Sequence, residues 1–137
     1  MNRLIFTSML LTFSALSNAD GYDAGDKTLF FDQPSTAIQH QEFNDLDPLK
    51  PYKNDFQIVE ISHLSNNLGE RWTLITFKNT ASGQRILKNE HVIATFADGS
   101  RSAAINLKAT LTAGELLTRT VFFGTHKFPI IKVSVNR

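Results

Sequence analysis

The chain has 137 residues, a formal net charge of +1 and no cysteine. Without cysteine it has no disulfide, no thiolate metal site and no thiol nucleophile, so a buried apolar core must hold it together. The small net charge hides a division: residues 20–56 carry eight acids against Lys27, Lys50 and Lys53, a balance of −5, whereas residues 57–137 carry ten basic residues against five acids, a balance of +5.

Arg3 supplies a short positive region, Leu4 to Leu11 form a mostly apolar stretch broken by Thr7 and Ser8, and Ser17-Asn18-Ala19 places small residues before a cut. This is the pattern of a secretory signal peptide over residues 1–19, with cleavage near Ala19. The apolar run falls short of the roughly 20 residues that a bilayer-spanning helix needs, so no transmembrane anchor is expected. No cysteine follows to carry a lipid. Removing 19 of the 137 residues leaves 118, enough for one ordinary domain, and removes both methionines. The mature chain then lacks the soft ligands that copper(I) requires.

Residues 20–55 predict an irregular acidic arm or linker. Pro34, Pro48 and Pro51 interrupt any helix, although "STAIQHQEF" has a candidate N-cap in Ser35 for one or two turns. "KTLFF" offers one edge strand, with Phe30 and Phe31 as the expected pins to the body. The acids Asp20, Asp23, Asp26 and Asp32 lack the alternating ligand spacing and central glycine of a calcium loop.

From Phe56 onward the pattern becomes β. "RWTLITFK" alternates, with Trp72 and Leu74 on one face and Thr73, Ile75 and Phe77 on the other. "EHVIATFA" sets Val92, Ala94 and Phe96 against His91, Ile93 and Thr95. Asp98-Gly99 marks a tight hairpin. "SAAINLKATL" places Ala103, Ile105 and Leu107 together, and "LLTRTVFFG" and "FPIIKVSV" complete the set. Recurring strands without a capped helical period predict an all-β fold, a small immunoglobulin-like antiparallel β-sandwich over residues 56–137. Of the chain's 11 phenylalanines, Phe56, Phe77, Phe96, Phe122, Phe123 and Phe128 fall in these strands and can furnish the core.

A strand ending in Lys78-Asn79-Thr80, the Phe96-Ala97-Asp98-Gly99 hairpin and Leu111-Thr112-Ala113-Gly114-Glu115 before a strand together resemble the extracytoplasmic immunoglobulin-like accessory domains of bacteria, including the FxLYD-type. The resemblance covers roughly residues 56–137, leaves the acidic arm outside, and rests on turns, which report architecture rather than chemistry. It implies a bacterial periplasmic setting. Gly114 reads as a backbone device at a corner and Glu115 as an acceptor beside it.

His40, His63, His91 and His126 show no local metal-clamp spacing, although His63 and His126 both flank strands and leave a site assembled from distant loops open. Serine-hydrolase elbows, P-loops and dinucleotide fingerprints are absent. The basic residues Lys78, Arg85, Lys88, Arg101 and Lys108 are not interleaved with aromatic residues as nucleic-acid stacking requires. They can meet the acidic arm, an anionic glycan or an acidic protein.

The sequence therefore predicts no catalytic, cofactor-binding or metal-ligating residues and no cofactor. It leaves the partner-binding residues unassigned and nucleic acid improbable as a partner. The expected function is that of an exported, non-catalytic binding or accessory protein acting on another envelope or secreted protein in the periplasm or outside the cell, in envelope assembly or secretion. The alternative is a periplasmic small-ligand or metal-binding protein.

Overall fold

The computed structural model describes residues 24–33 and 49–135. The signal sequence expected over residues 1–19, the helical turns expected after Ser35, His40 and Arg137 lie outside them.

A single helical turn, α1 (Ala24–Lys27), precedes a two-residue strand, β1 (Phe30–Phe31). The body follows as β2 (Phe56–Ser65), β3 (Glu70–Asn79), β4 (Arg85–Lys88), a 3-10 turn at Asn89–His91 and β5 (Ile93–Phe96). It ends with β6 (Arg101–Ala103), β7 (Lys108–Leu111), β8 (Leu116–Thr125) and β9 (Ile130–Ser134). One layer is a four-stranded sheet in the order β1-β2-β3-β8, and the facing layer comprises the pair β4-β7 and the three strands β6-β5-β9. All pairings are antiparallel, and the chain is an all-β sandwich.

The period-two pattern of β3 explains its place at the centre. Thr73, Ile75 and Phe77 are wholly buried toward the facing layer, while Leu74 and Lys78 are exposed on the other side. Phe56, Phe77, Phe96 and Phe123 all join the core, where each buried ring contributes roughly 1.5–3 kcal/mol relative to exposure. Phe122 instead stacks on Trp72 across the outer face, with ring centroids 4.4 Å apart, and Phe128 remains half exposed.

β5 departs from simple alternation, because every residue of it is buried. Ala94 and Phe96 enter the core between the layers, whereas Ile93 and Thr95 are buried outside that cluster. Directly paired residues share a face, and Arg101 pairs with Thr95. The Arg101 guanidinium donates to the Leu49 carbonyl, so residues 49–55 run along the outer side of this sheet. This strap continues by a Tyr52 N–H bond to the Glu90 carbonyl, an Asn54 amide bond to the Val135 carbonyl and a Thr80 N–H bond to the Asp55 carbonyl. Pro51 is buried within it.

β1 supplies the edge strand that "KTLFF" offered, pairing Phe30 with Ser65 and Phe31 with Leu64. The pinning is by backbone. Phe30 and Phe31 are 54% and 67% exposed, because a two-residue strand at a sheet edge has no layer over its side chains. The run "SAAINLKATL" also differs from one continuous strand. β6 stops at Ala103, Asn106 takes a left-handed φ of 57°, and β7 starts at Lys108. Ala104 and Leu107 consequently face the core, while Ile105 is turned out to bridge Phe122.

Candidate functional site

The Ala113-Gly114-Glu115 turn connects β7 to β8 and is tied to the end of β3 by Asn79. The wholly buried Asn79 side chain donates from Nδ2 to the carbonyls of Gly83, Leu111 and Thr112 at 2.9, 3.1 and 2.9 Å, and its Oδ1 accepts the Ala81 N–H at 3.0 Å. Its backbone carbonyl accepts the Gly114 N–H, and its N–H donates to the Glu115 carbonyl, each at 3.0 Å. Gly114 has φ +72°, a left-handed conformation that side chains resist, and a Cβ there would meet nothing within 4 Å. The glycine serves backbone conformation, with no close approach to protect. The Glu115 carboxylate accepts the Thr112 N–H and hydroxyl, which holds its pKa below the usual carboxylate value. A carboxylate so satisfied, beside no second acid or imidazole, is poorly placed for general-acid work.

Asp98, Ser100 and His126 meet at the β5–β6 hairpin and are the nearest approach to a hydrolytic triad. His126 stacks on Phe96 with centroids 3.9 Å apart and an interplanar angle of 10°. Its Nδ1 accepts the Phe128 N–H at 3.1 Å, and its Nε2 lies 3.1 Å from Ser100 Oγ. The Ser100 hydroxyl donates to Asp98 Oδ1 at 2.7 Å. A serine hydroxyl that gives its proton to a carboxylate is not in the arrangement that activates a nucleophile, in which the imidazole accepts that proton. The Ser100 bond is the main reason that the Asp98 pKa is lowered. The cluster clasps a hairpin whose Gly99 sits at φ 85°.

His63 lies on the inner face of β2, with Nδ1 3.4 Å from the buried Thr73 hydroxyl, and its carbonyl accepts the Asp32 N–H. Ser65 Oγ donates to the Asp32 carboxylate alongside. Burial lowers the His63 pKa and the Asp32 charge opposes this; burial also lowers that of His91, against Glu90 and with Lys88. Both imidazoles bind a proton less readily folded than unfolded, so stability falls as pH drops through the unfolded value near 6.5 toward the folded values. The expected result is a urea midpoint that decreases from about pH 7.5 to about pH 5.5 in the wild type, with a smaller decrease in the double variant His63→Gln/His91→Gln. Equal slopes would remove both histidines from the acid sensitivity. His63, His91 and His126 do not converge, and among the described residues no group of three His, Cys, Asp or Glu could hold a metal ion.

The basic residues separate into different environments. Arg85 pairs with Asp55 at 2.7 Å and Arg101 reaches Leu49, so two members of the cationic set are engaged by the strap. The Arg85–Asp55 pair is about half exposed and contributes at most about 1 kcal/mol. Lys78 is exposed on β3. Lys88 and Lys108 stand directly opposite one another in the β4–β7 ladder. The sequence names both residues in the basic set, and the strand register is what opposes them.

The other candidate surface is the outer edge of β2. β3 pairs along one side of this ten-residue strand, whereas on the other side, among the described residues, β1 pairs with Leu64 and Ser65 and is extended one step by the Asp32 N–H bond to the His63 carbonyl. Val59 occupies a bulge between Ile58 and Glu60 and is 50% exposed, and Ile61 is 39% exposed.

No helix among the described residues is long and apolar enough to cross a membrane. No protein-family model, curated protein or solved structure matches the chain.

Proposed function

We propose that this protein is an exported, non-catalytic accessory module of immunoglobulin-like type that binds another envelope or secreted protein by accepting an extended segment along β2. The observation that carries the reading is the edge from Gln57 to Ser62, along which no strand pairs among the described residues and apolar Val59 and Ile61 are exposed. Strand addition takes its affinity from main-chain hydrogen bonds and its selectivity from alternate side chains. The bulge at Val59 and the charge of Glu60 disfavour indiscriminate pairing, so a partner must fit an irregular edge. The signal-like N-terminus supports export to the periplasm, with the chain released near Ala19. The Ser100 hydroxyl, which donates to Asp98, supports a binding rather than a hydrolytic role.

Photocrosslinking in cells tests this. A photoreactive residue at Val59 is expected to yield a discrete protein adduct, whereas the same residue at Thr110, exposed on β7, yields none. Ile61→Pro, which removes an edge N–H, should abolish the adduct. No adduct from Val59, or the same adducts from both positions, would overturn the reading. A second reading, small-ligand binding, is favoured by one observation, an open cleft lined by residues from Lys88 to Glu90 and from Asn106 to Lys108.

A further inference from the structure

We propose that the cleft at the end of the β4–β7 pair binds a small ligand through a phosphate or carboxylate group held between the ammonium groups of Lys88 and Lys108. This inference gives the small-ligand reading its site and does not depend on strand addition at β2.

Cross-strand partners hold their Cβ atoms about 4.5–5.5 Å apart, and like charges in that relation repel. Lys88 and Lys108 are such a pair. Their repulsion is only weakly offset within the chain. Lys88 Nζ lies a loose 3.9 Å from Glu90, and Lys108 makes no ion pair among the described residues. An oxyanion between the two ammonium groups converts a repulsive pair into two charge-assisted contacts.

The surroundings supply shape and neutral donors. Lys88, Asn89, Glu90, Asn106, Leu107 and Lys108 line an open cleft of about 430 Å³, room for a small organic molecule as well as its anionic group. Asn89 Oδ1 accepts the Leu107 N–H at 2.6 Å, which fixes the amide orientation and leaves its Nδ2 protons without a partner among the described residues. Asn106 makes the turn that brings Leu107 to Asn89 by adopting φ 57°, which asparagine tolerates better than most residues. Two ammonium groups against the single Glu90 carboxylate disfavour a cation, and the exposed polar rim disfavours a wholly apolar ligand.

The test is a ¹⁵N NMR titration of the purified protein with inorganic phosphate, acetate and glucose 6-phosphate, referenced to sodium chloride at matched ionic strength. Saturable shifts are expected at the amides of Asn89, Asn106, Leu107 and Lys108. Lys108→Gln and Lys88→Gln should each weaken binding about fivefold or more, with the remaining spectrum unchanged because both side chains are exposed. Tighter binding of glucose 6-phosphate than of phosphate would assign the anion to a larger ligand, and the reverse order to a free oxyanion. Shifts that merely follow the chloride reference, or saturable shifts that survive unchanged in both variants, would overturn the proposal.

Discussion

Asn79→Ala is expected to destabilise the protein by about 3–5 kcal/mol, since it leaves several buried or half-buried backbone groups without their partner at once. One amide nitrogen serves three carbonyls from two separate turns, and the oxygen serves the Ala81 N–H. Of these acceptors, the Leu111 carbonyl lies in a buried contact that water reaches poorly. Asn79→Asp should cost at least as much despite its matching shape, because it turns a donor into an acceptor facing three carbonyl oxygens. Urea denaturation of the two variants beside the wild type measures this directly. A loss below about 1 kcal/mol for Asn79→Ala would mean that solvent replaces the amide, and the corner would then owe its shape to Gly114 alone.

Phe77→Ala ranks beside it, with an expected loss of about 3–5 kcal/mol. Phe77 is 0% exposed and belongs to the cluster shared by both layers, so truncation removes apolar burial and leaves a cavity that surrounding strands cannot readily close. A chain with no disulfide draws on a total stability of roughly 5–15 kcal/mol, which makes such a loss a large fraction of the whole. The contrast with Phe31→Ala is the informative control. Phe31 is 67% exposed, and its truncation should change the midpoint by no more than about 0.5 kcal/mol. Comparable losses at the two positions would show that the ring at Phe31 is covered in solution.

The alternation of β3 was legible because only one of its faces meets the core, and the Asp98-Gly99 hairpin was legible because a tight turn demands its glycine. β5 was harder to read. Ile93 and Thr95 look like an outward face until the strap covers them, and that burial depends on residues far away in the chain. The break at Asn106 escaped notice because asparagine takes the left-handed conformation without the glycine that usually announces it. Backbone pairing of β1 carries almost no side-chain signature, so Phe30 and Phe31 suggested apolar pins where the bonds are peptide to peptide. The Lys88–Lys108 opposition needed a register between strands, which composition and spacing do not encode. Asn79 was visible only as the middle of Lys78-Asn79-Thr80, one polar residue ending a strand.

The strap over residues 49–55 also sets the order in which the fold can be completed. Its Asn54 amide bonds to a carbonyl 81 residues later in the chain, and Arg101 reaches back 52 residues to Leu49. Contacts of such long sequence separation close late, because the intervening chain must first be confined. During synthesis from the N-terminus, the strap emerges early, and its Asn54 amide bond to the Val135 carbonyl must wait until β9 has followed it. Until then the β5–β9 pairing and the strap's last bond are both missing, so the sandwich is closed by the final residues of the chain.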